Sequence, residues 1–281
     1  MQKTVRINDL NYDPSLFTTW HTGTHVDSLF SAKGGVPKAT NWMIAGDPGV
    51  GKSTVTLDIL ANCKKSGGKA LFISAEMNQI DLYLYVERYP KFGELDIFFP
   101  QEFGDGCPKE KLEELLNQGW DLVLVDSFVE LQETIKEECE MSTKASEKWL
   151  LDLMYRHNLG NNEGRHFTTF MCIQQVTKSG NFVGSQRLKH MLTGMMEIRF
   201  DEDTDEERYI IFSKNRRGHV GKRMYFSLES TENVNYDWDR FKKNEELQEM
   251  RKVEKAKMKE SVAKFDELFK LKSSSDTEDE E

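Results

Sequence analysis

The chain has 281 residues, enough for one large core with appendages and short for two full domains. With 38 Lys and Arg against 48 Asp and Glu its formal charge is -10, which excludes a protein coated over its whole surface with nucleic acid and confines any such contact to a local patch. The four cysteines, Cys63, Cys107, Cys139 and Cys172, form no C-x-x-C pair and have no histidine at zinc spacing, so they read as reduced thiols.

The first twenty residues, MQKTVRINDLNYDPSLFTTW, hold no apolar signal core, and nowhere does the chain approach the roughly 20 apolar residues that span a bilayer. A cytoplasmic protein without a membrane partner is expected, with residues 1–19 an extension and candidate oligomerisation segment. From residue 41 short apolar runs alternate with helical patterns. NWMIA (41–45), KALFIS (69–74), LDIFF (95–99), DLVLVD (121–126) and HFTTFMCIQQ (166–175) read as strands; STVTLDILANCKK (53–65), closed by Gly67 and Gly68, and QIDLYLYVERY (79–89) read as helices. Strands separated by helices pair in parallel through right-handed crossovers, so the expected fold is α/β, a mostly parallel sheet flanked by helices.

After residue 190 no room is left for helices between GMMEIRF (194–200), ERYIIFSK (207–214) and KRMYFSLE (222–229), which predicts an antiparallel C-terminal strand extension. The turn DEDTDEE (201–207) carries six acids in seven residues and reads as a solvated hairpin tip. Residues 240–272 hold 11 Lys and Arg against 7 acids, with Leu247, Met250, Val253, Val262, Phe265 and Leu268 at mostly helical intervals, and predict a charged helix. SSSDTEDEE (273–281) has five acids and no base and predicts a disordered acidic tail. The core is thus expected over 20–239.

The chemistry centres on GDPGVGKST (46–54), where Gly46, Gly51, Lys52 and Ser53 satisfy G-x-x-x-x-G-K-[ST] between a strand and a helix. The loop formed by Gly46, Asp47, Pro48, Gly49, Val50, Gly51, Lys52, Ser53 and Thr54 should cradle a nucleotide's phosphates on backbone N–H groups at a helix start. Lys52 would reach the β- and γ-phosphates, and Ser53 would join the Mg²⁺ shell. Asp126, at the end of a buried strand, suits a metal-bound water; the alternative is a turn residue. Glu76, after another strand in LFISAEMN, could accept a proton from the attacking water; the alternative is a helix-capping acid near Asn78. TKSG (177–180) lacks the Asp of an N/T-K-x-D strand end, so ATP is preferred over GTP. No arginine-rich lid suggests a metabolite kinase, and hydrolysis is expected to drive a conformational change.

Several stretches together resemble the RecA-like ATPase superfamily, and within it the RadA/DnaB branch, over about residues 20–230. TGTHVDSLFSAKGGVPKATNWMIAGDPGVGKST (22–54) is similar to the entry of the RadA core, and SAEM (74–77) to the S-L-E-M of DnaB-type helicases, whose Glu is the catalytic base. QQVTKSGNFVGSQRLKHMLTGMMEIRF (174–200) resembles RadA's H-V-T-K-E-G segment and the following strand, and KNRRG (214–218) its K-N-R-F-G signature. The resemblance implies a RecA-like core in which Gln175 senses the γ-phosphate, the loop with Lys178, Ser179, Gly180 and Asn181 faces DNA, and Lys214 and Arg216 reach into a neighbouring subunit's ATP; Phe182 inside that loop could stack on a base or wedge between bases. Arg187 and Lys189 are candidate backbone contacts beside that loop; the alternative is surface cations. For Lys214 and Arg216 the alternative is a solvated basic turn, and Arg217 departs from the family's aromatic.

The resemblance further implies a homo-oligomer, ring or filament, that binds single-stranded DNA and acts in recombination, repair or replication. RadA's four-cysteine zinc module and Lon-like domain and DnaB's helical amino-terminal domain find no counterpart, as in short phage-encoded ATPases; the location would then be the bacterial host's cytoplasm. Two rivals stay open: a replicative DnaB-like helicase, and a KaiC-like signalling or scaffold ATPase that does not touch DNA. The acidic tail could occupy the protein's own cationic groove, dock on a single-strand-binding or replisome protein, or serve solubility alone.

Overall fold

The computed structural model describes residues 4, 6–9, 11–102, 107–175, 186–204 and 206–275, with the backbone alone at residues 7, 175, 186–188 and 266–275. Contacts divide the chain into a unit up to Asp237 and a second unit from Trp238. The first opens with β1 (Thr19–Trp20), α1 (Asp27–Phe30) and β2 (Val36–Pro37), β1 and β2 forming a small antiparallel pair. Asp27 organises this entry: its carboxylate accepts from the backbone N–H of Thr22 and Gly23 and from the Thr22 hydroxyl.

The main body alternates β3 (Asn41–Gly46), α2 (Lys52–Lys65), β4 (Ala70–Ser74), α3 (Gln79–Arg88), β5 (Asp96–Phe98), α4 (Pro108–Asn117), β6 (Leu122–Asp126), α5 (Phe128–Glu138), α6 (Thr143–Asn158) and β7 (Thr169–Gln175). There follow α7 (Gln186–Met191), β8 (Gly194–Phe200), β9 (Arg208–Asn215), β10 (Met224–Ser227) and β11 (Asn235–Tyr236). The large sheet runs β11-β10-β9-β8-β3-β7-β6-β4-β5. From β8 to β5 every neighbouring pair is parallel; β8-β9, β9-β10 and β10-β11 are antiparallel. The extension therefore begins with β9. The first of its three expected strands, β8, is parallel to β3, because the connection from β7 through α7 carries the chain back to the amino end of the sheet.

Parallel strands covered on both faces are apolar along their whole length, and β3, β4 and β6 are buried at every residue. On one face Val123, Val125, Phe170 and Cys172 pack against Leu112 and Leu116 of α4, Phe128, Leu131 and Ile135 of α5, and Leu150 and Met154 of α6. Elsewhere Phe30, Trp42 and Phe212 meet edge to face at centroid distances of 5.3–5.4 Å, joining α1 to β3 and β9. α2 is buried continuously from Thr54 to Cys63, so it is covered on more than its sheet side.

The second unit is one helix, α8 (Trp238–Ser275), with Lys252–Glu249 and Lys264–Glu260 ion pairs along it. Residues 276–281, the end of the expected acidic tail, lie outside the described residues. Among the described residues no helix is long and apolar enough to cross a membrane.

Candidate nucleotide site

β3 lies between β7 and β8, so its carboxyl end opens into the crevice that the reversal of strand order creates. The phosphate-loop motif begins there. A Cβ on Gly46 would stand 2.1 Å from the Ile198 carbonyl oxygen, so only glycine lets β3 and β8 approach at that point. Gly51 caps α2 in the left-handed region at φ 101°, and no side chain caps the helix, so its first-turn N–H groups suit an anion. Lys52 Nζ donates to the carbonyls of Gly46 at 3.0 Å and Asp47 at 2.9 Å, folding across the loop. Burial lowers the Lys52 pKa, opposed by the negative charges of Asp126, Glu76 and Asp47.

Two further acids converge on the loop. Ser53 Oγ donates to Asp126 Oδ2 at 2.6 Å, and Asp126, 2 % exposed, ends β6 beside Ser74 of β4. Its backbone carbonyl accepts from Ala75 N at 2.7 Å and Glu76 N at 3.0 Å, which fixes the backbone of Glu76 at the adjacent strand end. Burial pushes the Asp126 pKa up to about 6; Glu76 adds to the rise, while the Ser53 hydrogen bond and Lys52 oppose it. Glu76 itself is exposed. The cap of α3 is Asn78, whose side chain accepts from Ile80 N and Asp81 N, so the helix start does not employ Glu76. The Asp126–Ser127 peptide is cis, and Ser127 caps α5.

The donor set fits Mg²⁺ with a nucleotide. Mg²⁺ keeps several waters and is held by one or two carboxylates with substrate phosphates, and an adjoining hydroxyl and carboxylate at a phosphate loop supply the protein's share.

The remaining sequence candidates fall into two groups. Backbone register sets Gln175, the last residue of β7, opposite Gly46. Lys178, Ser179, Asn181 and Phe182 lie outside the described residues, as does the side chain of Arg187; Arg187 and Lys189 belong to α7. Lys214 and Arg216 stand elsewhere. Lys214 pairs with Met195 and Trp42 with Gly194 at the amino end of the parallel strands, whereas Gly46 pairs with Ile198 and Ile198 with Ile210 at the carboxyl end. The two cations are therefore at the opposite end of the sheet from their own chain's phosphate loop. There Lys214 Nζ donates to the Lys189 carbonyl and Arg216 Nη2 to the His190 carbonyl at 2.9 Å, closing the C-terminus of α7. Burial, then the charge of Arg216, lowers the Lys214 pKa.

Four features around the loop have no short motif. Arg199 of β8 bonds Glu197 and lies 3.5 Å from the Asp47 carboxylate, setting a cation beside the loop. Tyr85 of α3 stands beside the loop; burial raises its pKa, the charge of Asp126 adds to the rise and Thr54 opposes it. Leu228, just past β10, would meet a Cβ on Gly51 at 2.7 Å, and its carbonyl accepts from Arg88 and, at 3.2 Å, from Tyr89. Asp58, fully buried on α2, accepts from Lys91 Nζ at 2.5 Å and from Val234 N at 3.1 Å, while Lys91 also donates to Asn233. An Asp inside VTLDILA (55–61) is the one hint in the sequence; Asn62, four residues on, also donates to it, but its cation Lys91 and the Val234 amide come from more than thirty residues away.

Residues 13–185 match the RecA N-terminal domain family. The DNA repair protein RadA of Campylobacter jejuni is 30 % identical over 69 % of this chain and 41 % of its own length, and that of Aquifex aeolicus 28 % identical over 77 % and 48 %. Protein RecA of Helicobacter pylori is 30 % identical over 68 % and 54 %. The chain spans about half the length of these curated relatives. Among solved structures, a KaiC-like protein from Pyrococcus horikoshii aligns with a TM-score of 0.60 at 16 % identity, covering 78 % of this chain and 99 % of that one. The flagellar accessory protein FlaH from Methanocaldococcus jannaschii gives 0.55 at 13 %, covering 73 % and 92 %. At such identities the likeness concerns the fold.

Proposed function

Because the chain belongs to the RecA family of P-loop ATPases, we propose that it hydrolyses Mg-ATP and couples the hydrolysis to single-stranded DNA in recombination, repair or replication. The observation that carries the chemistry is the convergence of Lys52, Ser53, Asp126 and Glu76 at one strand-end crevice. The names of the RadA and RecA relatives support the biological role.

Lys52 and the loop N–H groups bind and orient the phosphates. Mg²⁺, when bound, neutralises charge on the β- and γ-phosphates, with Ser53 and Asp126 holding its shell. Glu76 accepts the proton of the attacking water, and Gln175 senses the γ-phosphate from the neighbouring strand end. Lys214 and Arg216 act on the ATP of the next subunit in a ring or filament, where a guanidinium stabilises charge developing on the transferred phosphoryl group. Their position at the far end of the sheet from their own loop favours action in trans. The loop of Lys178, Ser179 and Asn181, with Arg187 and Lys189, contacts the DNA backbone, and Phe182 stacks on a base or wedges between bases; since Lys214 and Arg216 bond the carbonyls of α7, these cations touch the helix that follows that loop. We place the protein in the cytoplasm.

Steady-state hydrolysis by the purified chain, with and without single-stranded DNA, tests this. Stimulation by DNA, absent in Lys52→Ala together with basal turnover, is the expected result. Turnover indifferent to DNA would overturn the DNA role and favour an ATPase that assembles protein partners, and turnover retained by Lys52→Ala would overturn the site.

A further inference from the structure

Two thiols outside the phosphate loop stand in contact. Cys107 is the residue before α4, and Cys139 is the residue after α5; their Sγ atoms are 3.2 Å apart. Both are half-buried, whereas Cys63 and Cys172 are fully buried and burial pushes their pKa values well up. A disulfide is about 2.05 Å long, so the sulfurs need to close by only about 1.2 Å. The two differ in character. The Cys139 thiol and the first-turn amides of Lys109 and Glu110 lower the Cys107 pKa, while burial raises that of Cys139. A thiolate favoured at a helix start is the attacking partner.

We propose that Cys107 and Cys139 form a reversible oxidation site, Cys107 the attacking thiol and Cys139 the resolving one, that takes a low-molecular-weight disulfide as its oxidant. Cys107 loses its proton and its thiolate attacks one sulfur of the oxidant, whose S–S bond breaks and releases one thiolate. Cys139 loses its proton and attacks the Cys107 sulfur of the mixed disulfide, and the second small thiolate leaves. The protein loses two protons and two electrons in all, and the oxidant becomes two thiols. The new bond ties the start of α4 to the end of α5, enclosing β6 with Asp126 and the whole of α5. It spans no residue of the phosphate loop, so the site restrains one helical layer of the core and leaves the loop's own contacts in place.

The test equilibrates the full chain with buffers of reduced and oxidised glutathione and reads intact mass and tryptic peptides. The expected product has lost two hydrogens, joins the peptides of Cys107 and Cys139, leaves Cys63 and Cys172 free, and is reversed by dithiothreitol. Its thermal midpoint should rise by several degrees over the reduced form, a rise missing from Cys107→Ser and Cys139→Ser. Cys139→Ser should hold a stable glutathione adduct on Cys107, and Cys107→Ser should react more slowly. The proposal is overturned if both thiols stay reduced throughout, if the wild type stops at a glutathione adduct, or if the disulfide joins two chains. The wild-type peptide map distinguishes these outcomes even where a serine variant fails to fold.

Discussion

Replacing Asp126 by Asn removes one charge at a site where the fold opposes that charge. The wild-type carboxyl titrates at about 6 in the folded chain against an ordinary value of 3.8, burial being the chief cause. A raised folded pKa means that the group's contribution to stability is complete below about pH 4 and is lost as the pH climbs through about 6. At 1.36 kcal/mol per pH unit, the gap between 3.8 and about 6 is worth about 3 kcal/mol. Asn keeps an oxygen for the 2.6 Å Ser53 hydrogen bond and does not titrate. Urea denaturation of metal-free and nucleotide-free protein, followed by fluorescence of the buried Trp42 and Trp120, measures the difference. From about pH 4 to about pH 7.5, Asp126→Asn should gain about 3 kcal/mol on the wild type, and Mg-ATP should narrow the gap at the upper end by binding the wild-type carboxylate. A difference between the two proteins that stays flat with pH would refute the reasoning.

Other outcomes follow from the same geometry. Lys91→Met leaves the buried Asp58 carboxylate without its cation and should cost about 3–5 kcal/mol in urea melts, much of it regained in Asp58→Asn/Lys91→Met; a loss under about 0.5 kcal/mol would contradict the pairing. If Arg216 works on the neighbour's nucleotide, an equal mixture of inactive Lys52→Ala and Arg216→Ala chains should recover roughly one quarter of wild-type turnover by random pairing, and a silent mixture would reject action in trans. Deleting residues 273–281 should tighten DNA binding at low salt if the tail competes for the protein's own cations; unchanged affinity would reject self-competition.

What could be read from the chain depended on how far apart the interacting residues lie. The phosphate loop was legible because its chemistry demands fixed residue types at fixed spacing between a strand and a helix, and β3 and α2 supply that context. β3, β4 and β6 were legible because burial on both faces makes each a nearly continuous apolar run. The direction of β8 was not: whether a strand pairs parallel or antiparallel depends on the path of the preceding connection, here through α7, which leaves no mark inside GMMEIRF. Lys214 and Arg216 could be picked out as a motif, but their distance from the loop is a matter of register between β8 and β9. Arg199 has no local signal at all; it matters because β8 lies beside β3 and brings it to Asp47. The Asp58 network joins α2 to residues 233–234, and no sequence window holds both.

Leu228 against Gly51, and Val234 on Asp58, bring the last strands of the core to both ends of the first turns of α2. On the ribosome the phosphate-loop motif emerges early, long before the groups that brace it. A nascent chain halted before β10 carries every residue of GDPGVGKST yet lacks Leu228, Asn233 and Val234, so α2 gains these contacts only when nearly the whole core has been synthesised.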